Sequence, residues 1–187
     1  MNRQKIKSEA KEALVGNRLL FLLAMLLIGF AVGATAGLGI LISPILAAGL
    51  FLMGKNLLHG EKLKFDDLIE YFNELRHALK LFLVSLLTGL IVLLGFILFI
   101  IPGIIFALRY SQALFIMSEN KEMDILDALR KSREMMRGYK WDLFVFCLSF
   151  IGHILLGIIT LGLWFFYAMP YIELSFMNYY LHLKNKV

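Results

Sequence analysis

Arg109 and Glu173 are two opposite charges set deep inside long apolar stretches of this chain. An unpaired charge at the centre of a bilayer costs at least ~2.5–3.5 kcal/mol on insertion scales, so each should face protein or water. Counted from the nearest helix breaks, at Gly103 and about Leu163, they lie about six and about ten residues in. At the helical rise the mismatch is roughly 6 Å, which long side chains and helix tilt can bridge. Other polar groups gather on the same stretches. Arg109-Tyr-Ser-Gln112 is a row of four polar-capable residues around one helix. Pro170 frees a carbonyl near Phe166, about a turn above Glu173. Ser149 and His153 are four apart and so share a helix face. Arg109, Gln112, Ser149, His153 and Glu173 are therefore the candidate intramembrane polar cluster. One reading is structural: Arg109 and Glu173 form an ion pair that locks helices together. The other is a site for an ion, a proton or an anionic substrate. The structural reading is preferred, because a transport pathway usually shows more buried polar groups than these stretches hold.

No other constellation suggests catalysis. Asp66-Asp67 resembles a carboxylate pair but begins an amphipathic segment, where acids favour the helix N-terminus. His59, His77, His153 and His182 show no metal-ligand spacing with Cys or acids. There is no phosphate-cradling glycine loop and no nucleophile elbow. The lone Cys147 cannot form an internal disulfide. No enzyme activity, metal or cofactor is expected.

The elements that must position the polar cluster are set by hydropathy. The 187 residues are 60% hydrophobic and 18% charged, with a mean hydropathy of +0.77. Soluble domains are nearer a quarter charged. The runs Leu19 to Met53, Leu79 to Met117 and Leu143 to Leu183 are each about twice the ~20 residues a spanning helix needs. Each run is broken near its middle: by Gly33 to Gly39, by Pro102-Gly103, and by Thr160-Leu-Gly162. Non-helical backbone cannot face lipid, so the breaks should lie at a membrane surface. Of 19 Lys and Arg, all but Arg109 fall in four places: residues up to 18, 55–80, 121–140 and the last few. The positive-inside rule places these regions, and both termini, in the cytoplasm. The net charge of +5 fits attraction to anionic lipid head groups. No stacking motif or basic recognition helix points to nucleic acid. Ala34-Thr35-Ala36 resembles a signal cleavage site, but the apolar stretch before it exceeds the usual ~7–15 residues, so an uncleaved span is expected.

The entries to the three runs look alike. Glu12, Gly16 and Arg18 precede the first; Glu74, Ala78 and Lys80 the second; Glu134, Gly138 and Lys140 the third. Each follows an amphipathic segment. In the third, Ile125, Leu126, Leu129 and Met136 should share the apolar side, with Asp124 as cap and Gly138 as stop. The pattern reads as one unit repeated three times: an interfacial helix, a basic turn, then two spans. Tyr139, Trp141, Trp164 and Tyr179 fall near the expected interfaces, where amphipathic rings anchor spans.

From Phe65 onward, over roughly two-thirds of the chain, the sequence resembles a family of multi-pass membrane proteins of unknown function, the DUF975 family. The resembling elements are Phe65-Asp-Asp-Leu68, Ile101-Pro-Gly-Ile104, Ser118-Glu-Asn120, Lys131-Ser132 and Met135-Met-Arg-Gly-Tyr-Lys140. They continue through Leu148-Ser-Phe-Ile-Gly152, Leu163-Trp164, Pro170-Tyr171 and Tyr179-Tyr180. His153 departs from the family pattern, which has a tryptophan there. The resemblance implies a bacterial cytoplasmic-membrane protein and supplies no catalytic residue and no substrate.

The expectation is an all-α polytopic membrane protein, a single domain of six transmembrane helices arranged as three hairpins. A cytoplasmic amphipathic segment, 1–18, leads into hairpin 1 at 19–54. A cytoplasmic loop, 55–77, leads into hairpin 2 at 78–118. An amphipathic cytoplasmic helix, 119–140, leads into hairpin 3 and a short tail, 141–187. The spans are expected at 19–36, 38–54, 78–101, 104–118, 141–160 and 163–183. The expected function is a non-enzymatic module that organises or assists other membrane components. The alternative is a small transporter or channel built around Arg109 and Glu173. Its partners would be the bilayer, anionic head groups at the cytoplasmic face, and either another membrane protein or a second copy.

Overall fold

The structure, a computed structural model, describes residues 1–35, 37 and 39–186. The expected end of span 1 at residue 36, the start of span 2 at residue 38 and the tail residue 187 lie outside the described residues. Within them every regular element is helical: α1 (Arg3–Ala13), α2 (Arg18–Ala34), α3 (Gly39–Leu58), two 3-10 turns (Phe65–Leu68 and Glu70–Asn73), α4 (Leu75–Leu98), α5 (Ile100–Tyr110), α6 (Ala113–Glu119), α7 (Ile125–Met135), α8 (Lys140–Leu148), α9 (Ile151–Ile159) and α10 (Leu163–Lys184).

Among the described residues, four stretches are long and apolar enough to cross a bilayer: Gly39–Leu58, Leu75–Leu98, Ile100–Glu119 and Lys140–Ile159. A fifth arises if α1 and α2, bent by 93°, count together. α2 alone has 17 residues. α10 has 22 residues but carries Glu173, Asn178, His182 and Lys184. Its second half, including Leu174, Met177, Tyr179, Tyr180 and Leu183, is buried in protein. A helix face that meets protein need not be apolar enough for lipid.

The break in the second run is displaced from Pro102-Gly103. α4 continues to Leu98, and the single extended residue Phe99 makes the turn. Pro102 lies in the first turn of α5, where an N–H has no intrahelical acceptor to lose. Gly103 is required for close approach: a Cβ there would meet the Phe96 ring at 2.5 Å. The expected spans 104–118 and 141–160 are each interrupted, at Ser111–Gln112 and at Ser149–Phe150.

The first and third units of the repeat share a backbone pattern, 122 positions apart. α1 and α7 each have 11 residues. The N–H of Ile6 donates to Asn2 and that of Ala128 to Asp124; Leu14 donates to Ala10 and Met136 to Ser132. Asn17 donates to Leu14 and Tyr139 to Met136, around Gly16 and Gly138, whose φ values are +78° and +87°. Five buried positions also correspond: Ile6, Ala10, Leu14, Phe21 and Ala24 against Ala128, Ser132, Met136, Leu143 and Phe146, while buried Leu129 and Met135 align with half-buried Lys7 and Ala13. One expected apolar position fails. Leu126 is exposed, and the buried face of α7 is Ala128, Leu129, Ser132 and Met135. Leu126 lies about 100° from Ile125 around the helix, outside that stripe. The middle unit departs further. Its interfacial segment is the pair of 3-10 turns, and Ala78 is inside α4 rather than in a turn.

The three units close into a ring. Consecutive long helices pack together: α2 on α3, α4 on α5, and α9 on α10. Between units, α4 packs on α3, α8 on α5 and α2 on α10. The interfacial segments follow the same rotation: the first 3-10 turn lies on α3, α7 on α5 and α6, and α1 on α10. At the centre the rings of Phe51 (α3), Phe115 (α6) and Tyr180 (α10) meet, with centroids 4.6, 5.4 and 5.5 Å apart. Four residues later along each helix stand Lys55, Glu119 and Lys184. The Glu119 carboxylate accepts from Lys55 Nζ at 2.6 Å, Lys184 Nζ at 2.7 Å and the Tyr180 hydroxyl at 2.6 Å.

The four basic segments converge on this end of the ring. Arg3 and the terminal amine approach Asp142, Lys121 pairs with Glu74, and Asn178 and His182 bond Glu9.

Candidate functional site

The structure distributes the five candidate residues instead of joining them. Arg109 and Glu173 form no ion pair, and Glu173 has no hydrogen-bond or ion-pair partner among the described residues. Depth counted from the breaks assumed that the helices carrying the two charges face each other. The ring instead places α8 beside α5. Ser149 and His153 border α1. The break after Ser149 frees its carbonyl, which accepts from Lys7 Nζ at 3.2 Å. The same ammonium lies 4.1 Å from the Phe150 ring centroid. His153 packs among the rings of Phe150, Tyr171 and Trp164.

Arg109 and Gln112 flank the break between α5 and α6, which α7 repairs. Ser132 Oγ donates to the Arg109 carbonyl at 3.0 Å and accepts from the Gln112 N–H at 3.2 Å. One hydroxyl thus satisfies a donor and an acceptor that the interrupted helix leaves free. Gln112 Nε2 donates to Ser111 Oγ at 2.7 Å. The Arg109 Nε is buried with no acceptor among the described residues.

The Arg109 side chain opens onto a cationic pocket of about 560 Å³, lined also by Arg130, Arg133, Glu134, Arg137 and Lys140. The four α7-derived residues recur at i, i+3, i+4 and i+7, so α7 and the turn after it present them on one face. Of the five cations, only Arg130 has an ion-pair partner among the described residues, Asp127 at 3.1 Å. Lys140 also lines a second space, a groove of about 410 Å³ between α5 and α8. The rest of that groove is Ile101, Ile104, Ile105, Leu108, Trp141 and Phe144, all apolar. Comparable grooves occur at the other two unit boundaries. One lies between α2 and α10, with Leu26 and Phe166 in its wall; the other lies between α3 and α4, with Pro44 and Leu86. Neither is lined by a charged residue.

Sequence reasoning missed three features. The cationic pocket was masked because its α7 arginines read as an ordinary solvated face. Ser132 reads as an unremarkable helix serine until it is aligned 122 positions after Ala10. The Glu119 centre had a signal: Lys55, Glu119 and Lys184 each follow a core aromatic by four.

Helices of this length and apolarity around a shared core are the features of a membrane protein. A family model described as "Protein of unknown function (DUF975)" matches residues 91–187, and the chain belongs to that family. No curated protein and no solved structure matches it.

Proposed function

We propose that this chain is a non-enzymatic, six-span protein of the bacterial cell membrane that organises or assists other membrane components. In this reading the three pairs of spans are hairpins, and both termini are cytoplasmic. The observation that carries it is the convergence of the basic segments on one end of a ring whose centre is filled by Phe51, Phe115 and Tyr180. Such an end docks at head groups. The outer side of α7, with Asp127 and Lys131 exposed, is left for a partner.

The alternative, transport through the Arg109 and Glu173 region, draws less support because the two charges do not pair. Two measurements test the proposal. In a Cys147→Ser background, single cysteines at Lys62, Lys131 and Leu161 are labelled in intact cells; Leu161 is the most exposed large apolar residue among the described residues. An impermeant reagent should reach position 161 alone, and labelling of 62 or 131 would reverse the orientation. Proteoliposomes should show no ion or proton flux above protein-free vesicles. Flux abolished by Arg109→Gln would replace the module with the transporter.

A further inference from the structure

We propose that the groove between α5 and α8, with the cationic pocket at its mouth, binds an anionic phospholipid: the phosphate sits among the arginines and one acyl chain lies along the groove. This rests on the membrane reading above and adds a ligand to it. Three observations converge. First, the charge is unbalanced: five cations, Arg109, Arg130, Arg133, Arg137 and Lys140, share the pocket with Glu134. Like charges gathered in one pocket repel one another, and an anion relieves that repulsion. Second, Arg109 Nε is buried without an acceptor, and Arg130 alone of the five has an ion-pair partner among the described residues. Arginine forks match phosphate oxygens in pairs, which suits such unfilled donors. Third, the apolar groove begins where the pocket ends. Lys140 lines both, and Leu108 of the groove precedes Arg109 of the pocket. From Ile101 to Leu108 the groove follows α5 for about 10 Å.

Continuity with the groove separates a lipid from a free phosphate. A soluble anion would use the pocket and leave Ile104, Ile105 and Phe144 facing bulk lipid. An amphipathic anion uses both. The ring supplies internal controls, because the other two grooves lack a charged lining residue. Leu126, exposed on α7, is four residues before Arg130 on the same face, where it meets the acyl boundary beside the head group.

Trp141 lines the groove and reports on it. The test uses the full chain with Trp164→Phe, leaving Trp141 as the single tryptophan, in mixed micelles of a neutral detergent. Phosphatidylglycerol with brominated acyl chains should quench Trp141 saturably at low mole fraction. Brominated phosphatidylcholine should quench only in proportion to its mole fraction. Arg133→Gln with Arg137→Gln should weaken the saturable component about thirtyfold while the melting temperature stays unchanged. If that pair unfolds the protein, salt takes its place: rising ionic strength should weaken quenching by the anionic lipid and leave that by the neutral lipid. Equal quenching by both lipids overturns the proposal. So does an undiminished signal in the folded double variant, or complete competition by glycerol phosphate at the lipid's own concentration. Binding is read in micelles, without reference to orientation or flux, so its failure leaves the module reading standing.

Discussion

At the scale of single residues, the structure turns on groups that repair broken backbone. Ser132 is the clearest case, since its hydroxyl serves both sides of the α5–α6 break. Ser132→Ala should lower stability by about 1–3 kcal/mol, the usual cost of leaving buried backbone groups unsatisfied. Thermal unfolding in detergent measures it, and an unchanged melting temperature would mean that water replaces the hydroxyl. Arg109 and Glu173 give a second prediction. As they form no pair, Arg109→Leu and Glu173→Leu should act independently, and the double variant should equal the sum within about 0.5 kcal/mol. Recovery of stability in the double variant would restore the ion pair expected from the sequence. Their chemistry was legible as two isolated charges; their distance apart was not, because depth along a helix says nothing about which helix stands opposite. Gln112 was legible as polar, but its role depends on a helix break that follows from tertiary contact with Ser132.

At the scale of elements, the helix-plus-turn unit was the most readable part of the chain. Gly16 and Gly138 stand at corresponding turns and both take positive φ. A Cβ at either would meet nothing within 4 Å, so the cost of adding one is conformational. Gly138→Ala should therefore destabilise by about 1–2 kcal/mol. Gly138→Asn should lose less, since asparagine tolerates the left-handed region better. Equal losses would point to a packing defect instead. α1 supplies a pH-dependent prediction. Burial raises the Glu9 carboxyl, but hydrogen bonds from Asn178 and His182 outweigh it, and the net shift is below the ordinary 4.5. A carboxyl lowered on folding stabilises the native state above its unfolded value and loses that contribution as pH falls. Docking of α1 on α10 should thus weaken below pH 4.5. Spin labels at Ser8 and Lys186 would report a lengthening distance on acidification, and Glu9→Gln should show it already at neutral pH. The middle unit was the less legible one. Its acidic Phe65-Asp-Asp-Leu68 start matches an interfacial helix in pattern, yet it packs so tightly that a Cβ at Gly49 would meet the Leu68 carbonyl oxygen at 2.4 Å. Contact that close is decided by tertiary packing, which a local pattern does not record.

At the scale of the whole molecule, the order of the ring was not legible. Hydropathy marks where the apolar runs lie, while their cyclic order depends on which faces meet. The sequence still held a trace of it in the aromatic-then-charged spacing of Phe51, Phe115 and Tyr180. Closure predicts that the first unit is held from both sides, by α4 against α3 and by α10 against α2. A chain divided at the exposed Gly60–Glu61 loop should then reassemble when residues 1–60 and 61–187 are made together. Co-purification through a tag on the shorter piece measures this, and failure to recover the longer piece would mean that covalent continuity, not packing, holds the ring. Closure also fixes a timetable for synthesis. α10 leaves the ribosome after α3 and α6, yet it carries Tyr180 at the centre and Lys184 on Glu119. Until it arrives, Phe51, Phe115, Lys55 and Glu119 wait without their third partner. The nascent protein therefore carries α3 and α6 around an unfinished centre for as long as α10 is still being made. Late-appearing missense changes near residue 180 should be as damaging to its accumulation in cells as any early one.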